Sequence, residues 1–113
     1  MTKYHNKIRE CRQGHRHRSV AEARRCGELT LMEKGHAISH LQQQPVFELQ
    51  PSFTYRGEKI RAIKYLADFS YQDGDKWIVE DQKGMRTPGY LMKVKMLKYI
   101  MRDREDWEFR EIR

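Results

Sequence analysis

Hydrophobic and polar positions along the 113-residue chain follow a helical period in two segments. Ser19 stands just before the first of these, with Glu22 three residues later, and this spacing is typical of a capping box at a helix N-terminus. The pattern predicts a helix over about 20–34, ended by Gly35. A second helix is predicted over 88–102, because it opens on a proline, which is favoured in a first turn.

The remaining segments are typical of strands. Turn residues separate short apolar runs, and Pro45 within the first run favours an edge position or a break. The predicted elements are a strand over 38–49, a hairpin over 53–63 turning around Arg56-Gly57-Glu58, a strand over 65–72, a turn over 73–75, and strands over 76–84 and 107–112. This order predicts one domain over 1–113 of the α/β (mixed α+β) class, a central mixed sheet flanked by helices. Residues 1–18 have no apolar period and are predicted to be a basic arm.

The strand predicted over 76–84 changes from apolar to charged residues halfway along its length. It begins with the apolar residues 77–79 and continues through Glu80, Asp81 and Lys83. Strand alternation sends Asp81 and Lys83 to the face of Trp77 and Val79. The strand predicted over 65–72 carries a second acid, Asp68. Its opposite face is formed by three aromatic residues and one alanine, which are Tyr65, Ala67, Phe69 and Tyr71.

The turn between these two strands decides which acids meet. If a two-residue turn forms at Asp73-Gly74, Asp68 lies on the same face as Asp81 and Lys83. A three-residue turn would align Asp68 with Glu80 instead. Under the first register, two carboxylates approach each other across the ladder.

Adjacent carboxylates repel unless a cation lies between them, and grouped oxygen ligands suit Mg²⁺. A bound metal makes water a better nucleophile and neutralises charge on a phosphate, and Lys83 beside it would stabilise the transition state. A third acid, Glu22, shares a helical stripe with Cys26 and Leu29. Glu22 is predicted to be either a metal ligand or only the acid of the capping box.

These segments resemble the PD-(D/E)xK nuclease superfamily, through "SVAEARR", "YLADFSY" and "VEDQKG". More closely, they resemble a family of small phage and prophage proteins of that superfamily that is catalogued as a domain of unknown function. The layout is also similar to that of the phage endonuclease I group of Holliday-junction resolvases. Ala67 departs from the proline of the motif. The resemblance implies a restriction-endonuclease-like core and catalytic residues that match position by position. They are Glu22, Asp68 and Asp81, which would bind Mg²⁺ or Mn²⁺, and Lys83.

Charge placement favours a polyanionic partner. The formal net charge is +7, and residues 1–25 and 86–102 carry local net charges of +6 and +5. Lys93 falls on the apolar side of the second helix, so it either reaches a phosphate near the site or extends to solvent. Solubility alone is the alternative explanation of the charge. The residues predicted to contact DNA are Arg16, Arg18, Arg86, Lys93, Lys95 and Lys98.

A second metal site is suggested by the ligand types near the N-terminus. Thiol and imidazole donors are those that structural zinc prefers, although their spacing matches no standard finger. The alternative is two reduced thiols and two histidines that face DNA. The four candidate zinc ligands are Cys11, His15, His17 and Cys26.

Together these features predict a metal-dependent DNA endonuclease, acting on branched or recombination-intermediate DNA and forming a homodimer. No apolar stretch is long enough for a membrane span and the N-terminus has no signal peptide, so a cytoplasmic protein is expected. The alternatives are a non-catalytic nucleic-acid-binding phage protein, with or without zinc, and a structural or partner-binding phage protein that kept the nuclease fold.

Overall fold

A computed structural model of the chain describes residues 19–82 and 86–112, together with the backbone of residues 9–10 and 16–17. Two helices, α1 (Val20–Lys34) and α2 (Pro88–Met101), are accompanied by short strands. The strands, in chain order, are β1 (Arg9–Glu10), β2 (Arg16–His17), β3 (Ser39–Gln43), β4 (Val46–Gln50), β5 (Phe53–Tyr55), β6 (Glu58–Ile60), β7 (Ile63–Leu66), β8 (Phe69–Asp73), β9 (Lys76–Gln82) and β10 (Trp107–Ile112). Within the described part of the chain, no helix is long and apolar enough to cross a membrane.

The central sheet has four strands in the order β10-β9-β8-β3. Strand β10 runs parallel to β9, whereas the other pairs are antiparallel, so the sheet is mixed. Adjacent residues of β9 face opposite layers: Ile78 packs with Cys26 and Leu29 of α1, and Val79 packs with Val94 of α2. The two helices therefore cover opposite faces of one sheet, which confirms the predicted mixed α+β class.

Helix α1 begins and ends where the sequence predicts. The Ser19 side chain accepts a hydrogen bond from the backbone N–H of Glu22 at 3.1 Å, as an N-cap should. At the other end, the Gly35 N–H bonds to the carbonyl of Leu31, but Gly35 has an ordinary φ of −84°. His36 takes the left-handed conformation instead, with φ of 64°, so the chain reverses one residue later than a glycine terminator would imply.

The strand predicted over 65–72 is wrong in one respect, because it is two strands. Strand β7 pairs with β4 and strand β8 pairs with β3, and between them the chain bends at Ala67 and Asp68. The partner strand breaks at the same level, at Gln44 and Pro45, where Gln44 has a φ of 49°. Hydrogen bonds from Gln44 N–H to the Asp68 carbonyl and from Ala67 N–H to the Pro45 carbonyl keep the register through the bend.

The bend also changes which face each side chain occupies. Strand alternation would place the two tyrosines of this segment on one face with Ala67 and Phe69. Instead, Tyr65 and Ala67 pack in the α2 layer, and Phe69 and Tyr71 pack in the α1 layer. The predicted common face is therefore wrong, because alternation holds only along an unbroken strand.

The β8–β9 turn has two residues, as the first register requires, but they are Gly74 and Asp75 rather than Asp73 and Gly74. Asp73 pairs with Lys76, and Gly74 has a φ of 63°, which favours glycine. A shift by one residue at the turn keeps the same parity of pairing along 69–73, but the regular pairing ends at Phe69 and Glu80, and Asp68 lies beyond it at the bend. The three-residue alternative, which aligned Asp68 with Glu80, is excluded.

Candidate functional site

Asp68 lies at the bend, beside the end of β9. Phe69 pairs with Glu80, and one residue further the Asp68 N–H bonds to the Glu80 carbonyl at 3.2 Å. The Asp68 carboxylate accepts a hydrogen bond from the Gln82 N–H at 2.7 Å. A side-chain oxygen thus takes the position that a backbone carbonyl would hold in a regular ladder, and this bond fixes the carboxylate next to Asp81 and Gln82.

Asp81 is fully buried on the α2 side of the sheet. Its Oδ2 accepts a hydrogen bond from the hydroxyl of Tyr65, which is itself buried against the rings of Tyr90 and Phe109. A buried carboxylate is costly unless donors surround it. Tyr65 therefore fixes the direction of the Asp81 carboxylate. Tyr65 lies on β7, which pairs with β4; we call the segment from β3 to β8, bent at Gln44–Pro45 and at Ala67–Asp68, the ribbon.

A third acid, Glu111, lies beside Asp81 because β10 pairs with β9 in parallel at this position. Glu111 accepts a hydrogen bond from the Tyr90 hydroxyl at 2.7 Å and forms an ion pair with Arg86 at 3.4 Å. Burial, the bond to Glu111 and the negative charge of Asp81 all raise the pKa of Tyr90 above its ordinary value. We call Asp68, Asp81 and Glu111 the acidic row, since they occupy the ends of three neighbouring strands.

Sequence reasoning missed Glu111, and it missed the two tyrosines that donate hydrogen bonds to the acidic row. Glu111 carried a usable signal, because alternation along 107–112 places it on the same face as the apolar residues Trp107 and Phe109, where a charged side chain is unusual. Tyr65 and Tyr90 carried none, since either would also serve as an ordinary core residue.

Glu80, the other acid of β9, lies in a network of its own. It is fully buried on the α1 side, where Arg25 binds both of its oxygens, from Nε at 2.6 Å and from Nη2 at 2.9 Å. The Tyr71 hydroxyl donates a third bond at 2.7 Å. Burial, with the bond to Glu80, raises the pKa of Tyr71 to about 12, and the bond to Glu80 raises the pKa of Arg25. This network holds α1 on the sheet.

Glu22 is buried one turn before Arg25, on the stripe of α1 that faces the sheet. It belongs to the α1 layer, whereas Asp81 belongs to the α2 layer, so these two carboxylates can meet only beyond the end of β9. Within the ranges that the structure describes, no three His, Cys, Asp or Glu side chains form a group that could hold a metal ion. The structure places the Asp68 carboxylate on the backbone N–H of Gln82, the residue after Asp81, and puts Glu22 in the other layer.

A cleft of about 400 Å³ opens between the first turns of α1 and the ends of β9 and β10. Arg24, Arg25 and Glu28 line it on the helix side, where Arg25 is paired with Glu80 and Glu28, and Gln82 and Ile112 line it on the strand side. Lys83, the remaining predicted catalytic residue, follows Gln82 directly and lies outside the described residues. The cleft leads to the same strand ends that carry the acidic row.

The predicted DNA contacts lie in two places. Lys95 and Lys98 are exposed on α2, Lys93 is half-buried, and the Lys98 ammonium lies 5.7 Å from the centre of the Phe109 ring. Arg86 is exposed but paired with Glu111. Of the arm, Arg18 lies outside the described residues and Arg16 is described only in its backbone.

Of the predicted zinc ligands, Cys11 and His15 lie outside the described residues, and only the backbone of His17 is described. Cys26 is fully buried in the core between α1 and the sheet, where its thiol contacts the Gln43 side-chain oxygen at 3.6 Å. The zinc site therefore stays a prediction.

Comparison with known proteins gives a family and no relative of established activity. No curated protein matches the chain, and no solved structure does. The model of one family, described as a protein of unknown function (DUF1064), matches residues 1–113. Since this match covers the whole sequence, the chain belongs to the DUF1064 family.

Proposed function

We propose that the protein is a metal-dependent DNA endonuclease with a restriction-endonuclease-like core. The observation that carries the proposal is the hydrogen bond that holds the Asp68 carboxylate on the N–H of Gln82, the residue directly after the buried Asp81 at the end of β9. The bend of the ribbon delivers the first carboxylate, and the sheet delivers the second. A hydrogen bond from the Gln82 N–H orients the Asp68 carboxylate, and a hydrogen bond from the Tyr65 hydroxyl orients that of Asp81.

These residues fit a divalent cation of the magnesium type. Mg²⁺ is usually held by one or two carboxylates together with waters and substrate phosphate, so two aspartates suffice and a third protein ligand is not needed. When bound, such a cation lowers the pKa of a water molecule and neutralises charge on the scissile phosphate. Asp68 and Asp81 would hold it, and Glu111 adds negative charge next to Asp81.

The chain itself supplies the electrostatics for a phosphate backbone. Arg24 lines the cleft beside the strand ends, and the formal net charge of +7 favours a polyanion. Exposed Lys95 and Lys98 on α2 would give further contacts that add affinity without reading sequence. Lys83 would assist hydrolysis from the position after Gln82.

A second candidate function is DNA binding without hydrolysis. The complete burial of Asp81 and its bond to Tyr65 favour it, because both are also what a purely structural carboxylate requires. This alternative predicts DNA binding with no cleavage in the presence of any divalent metal.

A cleavage assay separates the two. The intact protein is incubated with linear duplex, single-stranded and four-way-junction DNA in Mg²⁺, Mn²⁺ or EDTA. We expect metal-dependent cleavage that Asp81→Asn abolishes while DNA binding is kept or strengthened, because one negative charge near the phosphates is removed. Asp75→Asn, on the exposed turn at the far end of β9, is the matched control and should cleave normally. Full activity of Asp81→Asn would refute the assignment.

A further inference from the structure

The hairpin formed by β5 and β6 stands out as a surface that the fold does not use. Its two strands hydrogen-bond only to each other among the described strands, and every residue from 51 to 59 is exposed. Phe53 keeps 46% and Tyr55 keeps 56% of its surface exposed. Two aromatic side chains held in water on a short hairpin are typical of a binding surface.

The hairpin is the far end of the ribbon that carries Asp68. Gln50 pairs with Ile63 and Phe53 pairs with Ile60 at the same offset, so the register continues through the two-residue gaps between these pairs. Helix α2 packs against β4 and β7, which anchors the near half of the ribbon. The far half, 53–60, is the segment that we call the finger.

The reach of the finger follows from strand geometry. Asp68 follows Glu58 by ten positions, and at about 3.3 Å per position this spans at most about 33 Å. That length corresponds to about ten base pairs of B-form DNA, at roughly 3.4 Å per base pair. The finger would therefore contact DNA within about one helical turn of a phosphate held at Asp68.

The two faces of the finger differ in chemistry. Cross-strand pairing places Phe53 and Tyr55 on one face, opposite Ile60 and Glu58, and it places Lys59 on the other face with Thr54. At the tip, Arg56 and Gly57 form a two-residue turn with φ values of 47° and 82°. The Arg56 guanidinium lies 5.5 Å from the centre of the Tyr55 ring.

Charge on and beside the finger has one dominant sign. Residues 53–64 hold four basic residues and one acidic residue, and all five are exposed. They are Arg56, Glu58, Lys59, Arg61 and Lys64. An aromatic face next to a basic face is the combination that holds a nucleic-acid strand with unpaired bases, since bases stack on rings and phosphates pair with cations.

We infer that the finger binds unpaired bases of DNA, at a single-stranded region or branch point next to the duplex that enters the cleft. The inference rests on the proposed function only for the identity of the partner as DNA. It is distinct from cleavage, because none of the finger residues belongs to the acidic row. A second copy of the chain is the competing occupant of this surface.

The experiment measures DNA binding in EDTA, where hydrolysis does not interfere. Fluorescence anisotropy of the full-length protein is recorded with a labelled single strand, the matching duplex, and a duplex bearing a single-stranded flap. The variant is Phe53→Ala/Tyr55→Ala. Tyr55→Phe keeps the ring, and Leu31→Ala removes an equally exposed apolar side chain from α1 as the matched control. Circular dichroism melting verifies that each variant is folded.

We expect the double variant to lose roughly 5- to 150-fold in affinity for each base that stacks, on the single strand and the flap. Duplex binding should change little, and Tyr55→Phe and Leu31→Ala should bind like the wild type. Lys59→Gln should weaken binding to all three DNAs and reduce the salt slope by about 1.

Three results would overturn the inference. They are equal affinities of the wild type and the double variant for the flap, equal losses on flap and duplex, and no DNA binding by the wild type. A lower mass of the double variant in light scattering, with DNA affinity unchanged, would assign the finger to a second copy. Binding lost in the double variant without cleavage by the wild type in any metal would keep the finger and refute the endonuclease.

Discussion

Replacing Arg25 tests the most heavily bonded contact between α1 and the sheet. Arg25→Met keeps most of the side-chain length but removes the guanidinium that binds both oxygens of Glu80. Glu80 is fully buried and keeps only the Tyr71 hydroxyl from this network. A buried carboxylate that loses its cation is strongly destabilising, because the protein no longer compensates its lost hydration.

The size of the effect follows from the geometry. Removing one partner of a buried pair costs about 3–5 kcal/mol. The Arg25 side chain retains 22% exposure, so solvent reaches one side of the pair and the lower value, about 3 kcal/mol, is expected. For a domain of this size that lowers the melting temperature by roughly 12 °C. Glu80→Gln should cost less, about 1–3 kcal/mol, since an amide oxygen still accepts hydrogen bonds and the Arg25 guanidinium is partly exposed and keeps Glu28 as a partner.

Urea unfolding of the two single variants and the double variant gives the coupling between the residues. We expect Glu80→Gln to recover part of the loss in the Arg25→Met background, because it removes the stranded charge. Arg24→Met, at the neighbouring exposed position, should change the free energy of unfolding by less than about 0.5 kcal/mol. If the losses of the two single variants simply add in the double variant, within about 0.5 kcal/mol, the ion pair does not hold α1 as we argue.

Three further predictions concern pH, metal and assembly. Because the pKa of Tyr71 is raised to about 12 from about 10, its stabilising contribution is complete below pH 10 and is lost as the pH rises towards 12; Tyr71→Phe should remove this part of the pH dependence in urea unfolding. If zinc is bound by Cys11, His15, His17 and Cys26, elemental analysis of protein purified without chelator should find one equivalent, and Cys11→Ser should lower the melting temperature; substoichiometric zinc with unchanged melting contradicts this. A homodimer should prefer four-way junctions to excess linear duplex, with affinity that falls steeply as salt rises; a monomer with equal affinities would exclude a resolvase and leave the endonuclease standing.

The local elements could be predicted because their signals are local. Ser19 caps α1 as its spacing with Glu22 indicates, and Pro88 opens α2 under a Thr87 cap. The hairpin at Arg56 and Gly57 forms where the turn residues place it. In each case the residues that determine the structure are consecutive: a capping oxygen lies within three residues of the N–H that it accepts from, and the turn residues follow one another directly.

The bend at Ala67 and Asp68 could not be predicted from its own residues. It is caused across the ladder by Pro45, which cannot donate a hydrogen bond, and by the left-handed Gln44. Pro45 did predict a break in its own strand, but only the pairing of that strand with 63–73 transmits the break to Asp68. The order β10-β9-β8-β3 likewise depends on contacts between distant residues, so composition and periodicity do not determine it.

The same reasoning explains how β9 can bury two consecutive acids. Alternation sends Glu80 to the α1 layer and Asp81 to the α2 layer, so the sheet separates them and each receives its own tyrosine, Tyr71 or Tyr65. Apart from the tyrosines, the charged residues around Glu80 and Asp81 have opposite signs. Arg25 neutralises Glu80, which makes that acid a structural element, whereas Asp81 pairs with Glu111 on β10 and precedes Gln82, whose N–H holds the Asp68 carboxylate. Clustered carboxylates favour a bound cation, so loss of stability should follow changes at Glu80 and loss of cleavage should follow changes at Asp81.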